Sequence, residues 1–400
     1  MKLTNFITNC DTCHLPYSVG RIFLQKSVHM NRRRFFGIAG TTVVIAGITY
    51  YVTSDKHNFT REDVRKNNKG NNYLQADEME ILYLASLAPS GHNTQPWIVK
   101  YLEPYHWIIA NDKSKWLPAV DPAQRETILS IGTFIQNLEY AANNLGYNCQ
   151  FTLLATNNQD DNIMEVKLVK STGLPNYDIQ KIKQRRTVRT NYLNNVLTKA
   201  DADYLIDAEQ DFIRYLPNTS KEHQWLNEQT IEANSIQSYR DDAQQELSDW
   251  IRFSSKEAKE YCDGLTTASM ELDGIPGWLL RNFYNKADVM KKDFREKGID
   301  KVRNQVSQSA GWILITSKDN TTATLLETGK RMQRLFLKIR ERNIAIHPMT
   351  QILEESNTAS MLNQSIDISD TVQFILRAGY LKNYPEPVSL RRPIETFIRM

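Results

Sequence analysis

The stretch Ala88-Pro89-Ser90-Gly91-His92-Asn93-Thr94-Gln95-Pro96-Trp97 decides how this chain is read, together with Arg185-Arg186-Thr187-Val188-Arg189 about ninety residues later. The first is a tight loop bearing hydroxyl and amide groups. The second sets three guanidinium groups around one hydroxyl. A phosphate group calls for such partners, bidentate guanidinium donors and short hydroxyl or amide donors. Lys181 to Arg189 alone would pass for a solvated charge run. Paired with the loop, it argues for a phosphate-bearing ligand.

Four hundred residues suffice for one large domain or two ordinary ones. A hydrophobic content of 41% and a mean hydropathy of −0.51 describe a soluble globular chain. The net charge of +3 gives no reason to expect nucleic acid as a partner. Seven histidines and four cysteines form no metal-binding pattern. Cys10-Asp11-Thr12-Cys13-His14 has the spacing of a c-type haem attachment site. It precedes an export-like segment, on the side of a membrane where such haems are not attached, and reads as chance spacing. Cys149 and Cys262 read as ordinary buried thiols.

Asn31-Arg32-Arg33-Arg34-Phe35-Phe36 resembles the twin-arginine export motif, with Asn where Ser or Thr is usual, and an uncharged stretch runs on to Val52. Gly37, Gly40 and Gly47 would make it a poor soluble helix. Residues 30–52 are therefore expected to be a twin-arginine signal or a membrane anchor. No Ala-x-Ala cleavage site follows, and the run is slightly short of the ~20 residues that span a bilayer. Residues 1–29 read as an over-extended start, since Met30 stands directly before this segment, and 53–72 as a solvated linker. Passage through the twin-arginine translocase and a periplasmic or extracytoplasmic location, with anchoring to the inner membrane as a further option, are what the segment implies.

From Tyr73 the pattern is that of a folded protein. Asp77 to Ala85 begins acidic and turns apolar, as helix entries do. Trp97–Val99 and His106–Ala110 read as strands around Glu103-Pro104. Ile131, Phe134, Ile135, Leu138, Ala142 and Leu145 define a helix ending at Gly146, and Phe151–Leu154 with Met164–Val169 a hairpin. The second half repeats part of this. Trp312 to Ile315 resembles Trp107 to Ile109, and Gly132, Gln136 and Leu138 recur as Gly329, Gln333 and Leu335 at a constant offset of 197. That second helix is expected to stop at Asn343. The reading is an internal duplication, with halves at 73–182 and 183–400. A helical, aromatic-rich insertion at about 215–305 carries Trp225, Tyr239, Trp250, Phe253, Tyr261, Trp278 and Phe283. It is either an accessory core layer or a lid.

Ala88 to Trp97 resembles the Ala-Pro-Ser-x-x-Asn-x-Gln-Pro-Trp signature of the nitroreductase-like flavoprotein superfamily. Arg185 to Arg189 is similar to the Arg-Arg-Ser-x-Arg that opens those proteins, with Thr for Ser. With an export segment in front, the chain looks like the Acg-type branch. The resemblance spans about residues 73–400. It implies an α+β fold with a mostly antiparallel sheet flanked by helices, and FMN as cofactor. In that superfamily two protomers share two FMN molecules. Here the arginine stretch opens the second half and the loop lies in the first, so the resemblance implies a fused pseudo-dimer with one composite site.

The FMN-binding residues so implied are Pro89, Ser90, Gly91 and Asn93 from the loop and Arg185, Arg186, Thr187 and Arg189 from the arginine stretch. Arg391 and Arg392 would add a basic contact near the carboxyl terminus. Thr350 and Gln351 fall where relatives bring backbone amides to the flavin, although His347-Pro348-Met349-Thr350-Gln351 departs from the common Pro-Ile-Glu-Gly there. Gln95, Pro96 and Trp97 are expected to hold the loop's shape, and His92 to hydrogen-bond within it. No side chain stands out as catalytic acid or base, and none as a metal ligand. The function implied is an exported FMN-dependent oxidoreductase working on a small-molecule electron donor or acceptor. The alternative is a flavin-sequestering protein with little turnover.

Overall fold

β1 (Trp97–Glu103) and β2 (His106–Asn111) form an antiparallel hairpin around Pro104, turning through Tyr105 in a left-handed conformation. The computed structural model describes residues 54–55, 59–61 and 74–400. The export-like segment and Cys10 to His14 lie outside the described residues, as does most of the expected linker. Within that linker, Asp55 accepts hydrogen bonds from the amide and hydroxyl of Ser255, and Arg61 is buried, donating to the carbonyls of Lys183 and Ser389. No helix among the described residues is long and apolar enough to cross a membrane.

Two sheets organise the chain. With β3 (Tyr147–Leu153) and β4 (Asn162–Lys170), the first runs β3-β4-β2-β1-β9, where β9 is the carboxyl-terminal Ile398–Arg399. The second joins β5 (Ile213–Pro217), β6 (Gly311–Ser317), β7 (Ile344–Pro348) and β8 (Thr371–Tyr380) in the order β5-β6-β8-β7. All pairings are antiparallel except β1 with β9. Read from β3 and from β7, the first four positions of the two sheets follow one pattern. The chain end then crosses from the second half to extend the first sheet.

In chain order a long helix follows the second strand of each sheet, Arg125–Asn144 between β2 and β3 and Thr322–Lys338 between β6 and β7. The first ends at Gly146 (φ 79°), as expected. The second passes through one 3₁₀ turn and stops at Asn343 (φ 52°). Phe134 and Leu138 of the first helix pack with Trp97, Trp107 and Val166, and Met332, Leu335 and Phe336 of the second with Ile313, Ile315 and Ile346. β1 is buried alternately, as a one-sided strand should be, whereas β6 is buried throughout.

The insertion explains that difference. It is mostly helical, as expected, from Lys221–Tyr239 to Lys292–Val306. Its Leu226, Ala233, Val302 and Val306 pack with Trp312 and Leu314, on the other face of the second sheet. Over this face it packs as an accessory layer.

The two central helices cross at glycine. A Cβ on Gly132 would stand 2.3 Å from the Leu326 carbonyl oxygen, and one on Gly329 would stand 2.1 Å from that of Leu129. These contacts are reciprocal under the 197-residue offset. So are two hydrogen bonds, Gln333 to Asn137 (2.7 Å) and Arg334 to Gln136 (2.9 Å). Gly329→Ala should therefore cost about 1–3 kcal/mol, the scale of overpacking. Gly298→Ala, in a helix with nothing within 4 Å of the added atom, should be neutral or stabilise by up to about 1 kcal/mol. Urea unfolding checks both, and equal effects would contradict the tight crossing.

Candidate functional site

The Ala88–Trp97 loop is held in an unusual shape. His92, Asn93 and Gln95 all have left-handed backbones, costing about 1–3 kcal/mol each without glycine. Local bonds enforce it. The Gln95 amide donates to Ser90 Oγ (2.9 Å), and its side chain donates to the Cys262 carbonyl (3.0 Å) and accepts from the Arg392 amide (2.8 Å). Thr133 Oγ1, on the first central helix, donates to the Pro89 carbonyl (2.9 Å). Trp97 is fully buried, its ring 4.9 Å from that of Phe134.

The arginines divide into two groups. Arg185 and Arg391 both donate to the Leu87 carbonyl, and Arg391 also to that of Ala88 (3.0 Å) and to Asn93 Oδ1 (2.8 Å). They are only 5% and 3% exposed, and neither has a carboxylate partner among the described residues. Arg185 Nη1 and Arg391 Nε are buried without a hydrogen bond. Burial, with the charge of Arg61 nearby, lowers the proton affinity of both, that of Arg185 to a pKa of about 9. These two guanidiniums are buried together with only neutral acceptors among the described residues.

The other three are tied down by the protein, Arg186 and Arg392 by carboxylates and the Arg189 guanidinium by a backbone carbonyl alone. Glu271, itself left-handed, accepts from Arg186 Nη2 (3.2 Å), the Arg189 amide (3.0 Å) and Thr190 Oγ1 (2.6 Å). Arg186 also donates to the Glu386 carbonyl, and Arg189 to that of Ser269 (2.7 Å). Arg392 pairs with Asp112 (3.1 Å) and ties down the carbonyls of Gln95 and Trp97.

A cavity of about 290 Å³ lies beside these groups. Seven of the twelve expected site residues line it: Pro89, Ser90, Gly91, Thr187, Arg189, Thr350 and Gln351. Both key stretches thus meet at one place. Asn93, Arg185, Arg186, Arg391 and Arg392 are not in its lining. Asn93 is engaged by Arg391 and by the carbonyls of Gly264 and Leu390. Ser130, Thr133 and Met332 of the crossing helices also line the cavity, with Gln237 and Leu265 of the insertion. None of the seven aromatic residues of the insertion does.

Two pairs of titratable groups stand on the wall; the glutamates escaped the sequence reading, and His92 lacks the loop hydrogen bond expected of it at Nδ1. Glu126 and Glu354 both hydrogen-bond Thr350 Oγ1, at 3.1 and 2.8 Å. Burial and the charge of Glu126 push the Glu354 carboxyl up to about 8. His92 and His347 also line the cavity, each with a buried Nδ1 lacking a partner. Burial lowers both below the usual imidazole range, so they are neutral at pH 7. His347 could have been found, since it opens a stretch already singled out. The two glutamates are 228 positions apart, and no spacing rule joins them. Among the described residues no group of side chains could hold a metal ion. Burial raises both described thiols, to about 12 for Cys149 and about 11 for Cys262, which suits inert cysteines.

Comparison with known proteins points one way. The chain is 23% identical over 316 residues to a protein of Serratia named as a probable NAD(P)H nitroreductase, covering 74% of this chain and 86% of that one. It is 21% identical over 336 residues to an uncharacterized protein of Mycobacterium tuberculosis, covering 79% of this chain and 91% of the other. A solved nitroreductase-like family protein from Bacillus cereus overlaps at a TM-score of 0.29 and 13% identity, covering 57% of this chain and 98% of its own. No family model matches. The chain is thus similar, over most of both lengths, to a probable NAD(P)H nitroreductase, and its own fold is α+β and rich in antiparallel strands.

Glu271 is what orders the arginine stretch. Glu271→Ala should lower unfolding stability by about 3–5 kcal/mol, the range for breaking a buried pair from one side. Chemical denaturation measures this, and a change below about 1 kcal/mol, as for a surface pair, would contradict it.

Proposed function

We propose that this chain is a flavin-dependent oxidoreductase of nitroreductase type, holding one FMN between two fused halves. The observation that carries this is the pair Arg185 and Arg391, buried with no carboxylate partner among the described residues, beside a cavity lined by both key stretches. Burying a cation costs several kcal/mol unless a counter-charge is supplied. The phosphate of FMN is such a charge, of about −2, and it fits the unfilled donors Arg185 Nη1 and Arg391 Nε. Pro89, Ser90 and Gly91 would line one side of the flavin, Thr187 and Arg189 another, with Thr350 and Gln351 toward its reactive edge. Bound there, FMN would supply the electron transfer, while the protein holds, orients and shields it.

The reciprocal helix crossing and the shared strand order support descent from a duplicated half. They also support a single site. At the offset of 197, Ser130 and Thr133 of the cavity correspond to Glu327 and Lys330. There Lys330 pairs with Glu139 (3.0 Å) and lies over the Phe151 ring, and Glu327 pairs with Arg334 (2.8 Å). Ion pairs fill the equivalent place.

Export by the twin-arginine route and membership of the Acg-type branch belong to the same proposal. That route carries folded proteins, and a non-covalent flavin is loaded before export. A second reading, flavin holding with little turnover, is favoured by the unusual Pro348-Met349-Thr350-Gln351 edge. Photoreducing the flavin-loaded protein and adding nitroaromatics, quinones or oxygen separates the two. Rapid reoxidation by a small acceptor marks an enzyme, and a flavin that neither reduces nor reoxidises readily marks a store.

Arg391→Met and Arg185→Met should each weaken FMN binding by about 1.5–3 kcal/mol, the worth of a charge-assisted hydrogen bond, or roughly 10- to 150-fold in Kd. Arg186→Ala should leave FMN affinity nearly unchanged, because its guanidinium is held by Glu271 and by the Glu386 carbonyl. Fluorescence titration with FMN reads all three. Unchanged affinity in both methionine variants would remove the arginine pair from the site.

A further inference from the structure

We propose that Glu354, linked through Thr350 to Glu126, is the proton donor to a quinone reduced in this cavity. This rests on the flavin reading only for the source of electrons. The argument begins with one hydrogen atom. Thr350 Oγ1 lies within hydrogen-bond distance of both Glu126 Oε1 and Glu354 Oε1, yet a hydroxyl donates only once. With both carboxyls ionised, one contact would set two acceptors against each other. A proton on one carboxyl turns both contacts into hydrogen bonds.

The neighbours say which. Glu126 pairs with Arg125 at 3.0 Å, so it holds the negative charge. Glu354 has no cationic partner among the described residues, and its other oxygen accepts from the Gln237 amide at 2.5 Å. The proton therefore sits on Glu354, which donates to Thr350, which donates to Glu126. Other charged groups near the pair are Asp121, whose carboxyl is also raised by burial and by Glu126, and Arg189. His92 is close too, and is neutral. On the far side of residue 354, Glu355 is paired with Arg240 at 2.8 Å.

Glu126, Thr350 and Glu354 all line the cavity. Reducing a quinone to a hydroquinone takes two electrons and two hydrogen nuclei. Reduced flavin supplies both electrons with one of the hydrogens. The O–H bond of Glu354 breaks as the second hydroquinone O–H forms, leaving a carboxylate. Glu126, with 16% of its side chain exposed, connects Thr350 to solvent, so a proton can return along the same bonds.

Two measurements test this. In the flavin-free protein at neutral pH, infrared spectroscopy should show the carbonyl stretch of a protonated carboxyl that Glu354→Gln removes and that fades as the pH is raised. Absence of any band assignable to Glu354 overturns the proposal. In stopped flow, reduced FMN-loaded protein should be reoxidised by 1,4-benzoquinone at a rate that falls as pH rises above neutrality. Glu354→Gln should slow this about 100-fold and flatten the pH profile, within the range for losing a general acid. A Gln variant that retains FMN and matches the wild-type rate and profile overturns it. A chain that takes up no FMN overturns the flavin reading and the donor role with it. The infrared band, which needs no flavin, tells that failure apart from failure of the proton pair.

Discussion

The architecture depends on how closely two helices approach at Gly132 and Gly329. With no side chain at either point, each glycine lies against a backbone carbonyl of the opposite helix. That distance fixes the two sheets on either side of the helix pair, and it sets Ser130 and Thr133 on one helix near Met332 on the other. The cavity opens at one end of this crossing. At the positions offset by 197 from the cavity hydroxyls of Ser130 and Thr133 stand Glu327 and Lys330, each in an ion pair. One end of the crossing is open and polar, and the other is closed by charge pairs.

Electrostatics then sorts the arginines. Glu271 and Asp112 neutralise Arg186 and Arg392, which makes those residues scaffold for the two key stretches. Arg185 and Arg391 receive only neutral carbonyl and amide acceptors, and burial alone would favour losing their protons. Two guanidiniums kept out of water with no carboxylate among the described residues are what the proposed phosphate would neutralise. The acidic residues on the cavity wall lie among other elements, around Thr350, and do not compensate this pair.

Much of this was legible in the sequence, because periodicity and terminators are local. The apolar spacing from Ile131 to Leu145 predicts the first central helix, Gly146 and Asn343 predict where the two helices give way to left-handed turns, and Pro104 marks the β1–β2 hairpin. The 197-residue offset marked Gly132 with Gly329 and Gln136 with Gln333 as equivalent residues, but the crossing of the two helices at those glycines appears only in the fold. The role of Gln95 in shaping the loop was legible as well. Which arginine lacks a counter-ion was not, since Glu271 comes from the insertion and reaches Arg186 only after folding. The engagement of Asn93 by Arg391 and the meeting of Glu126 with Glu354 are likewise products of tertiary packing. Sequence named the two stretches, and packing decided which atoms within them face a ligand.

The most direct test of the central claim is a crystal structure of the chain loaded with FMN. The account predicts one flavin per chain, with its phosphorus between the guanidiniums of Arg185 and Arg391 and its ring in the cavity lined by Pro89, Ser90, Thr187 and Arg189. A phosphate bound elsewhere, for example along the surface groove of Lys297 and Lys301, or a second flavin at the Glu327–Lys330 end, would contradict it.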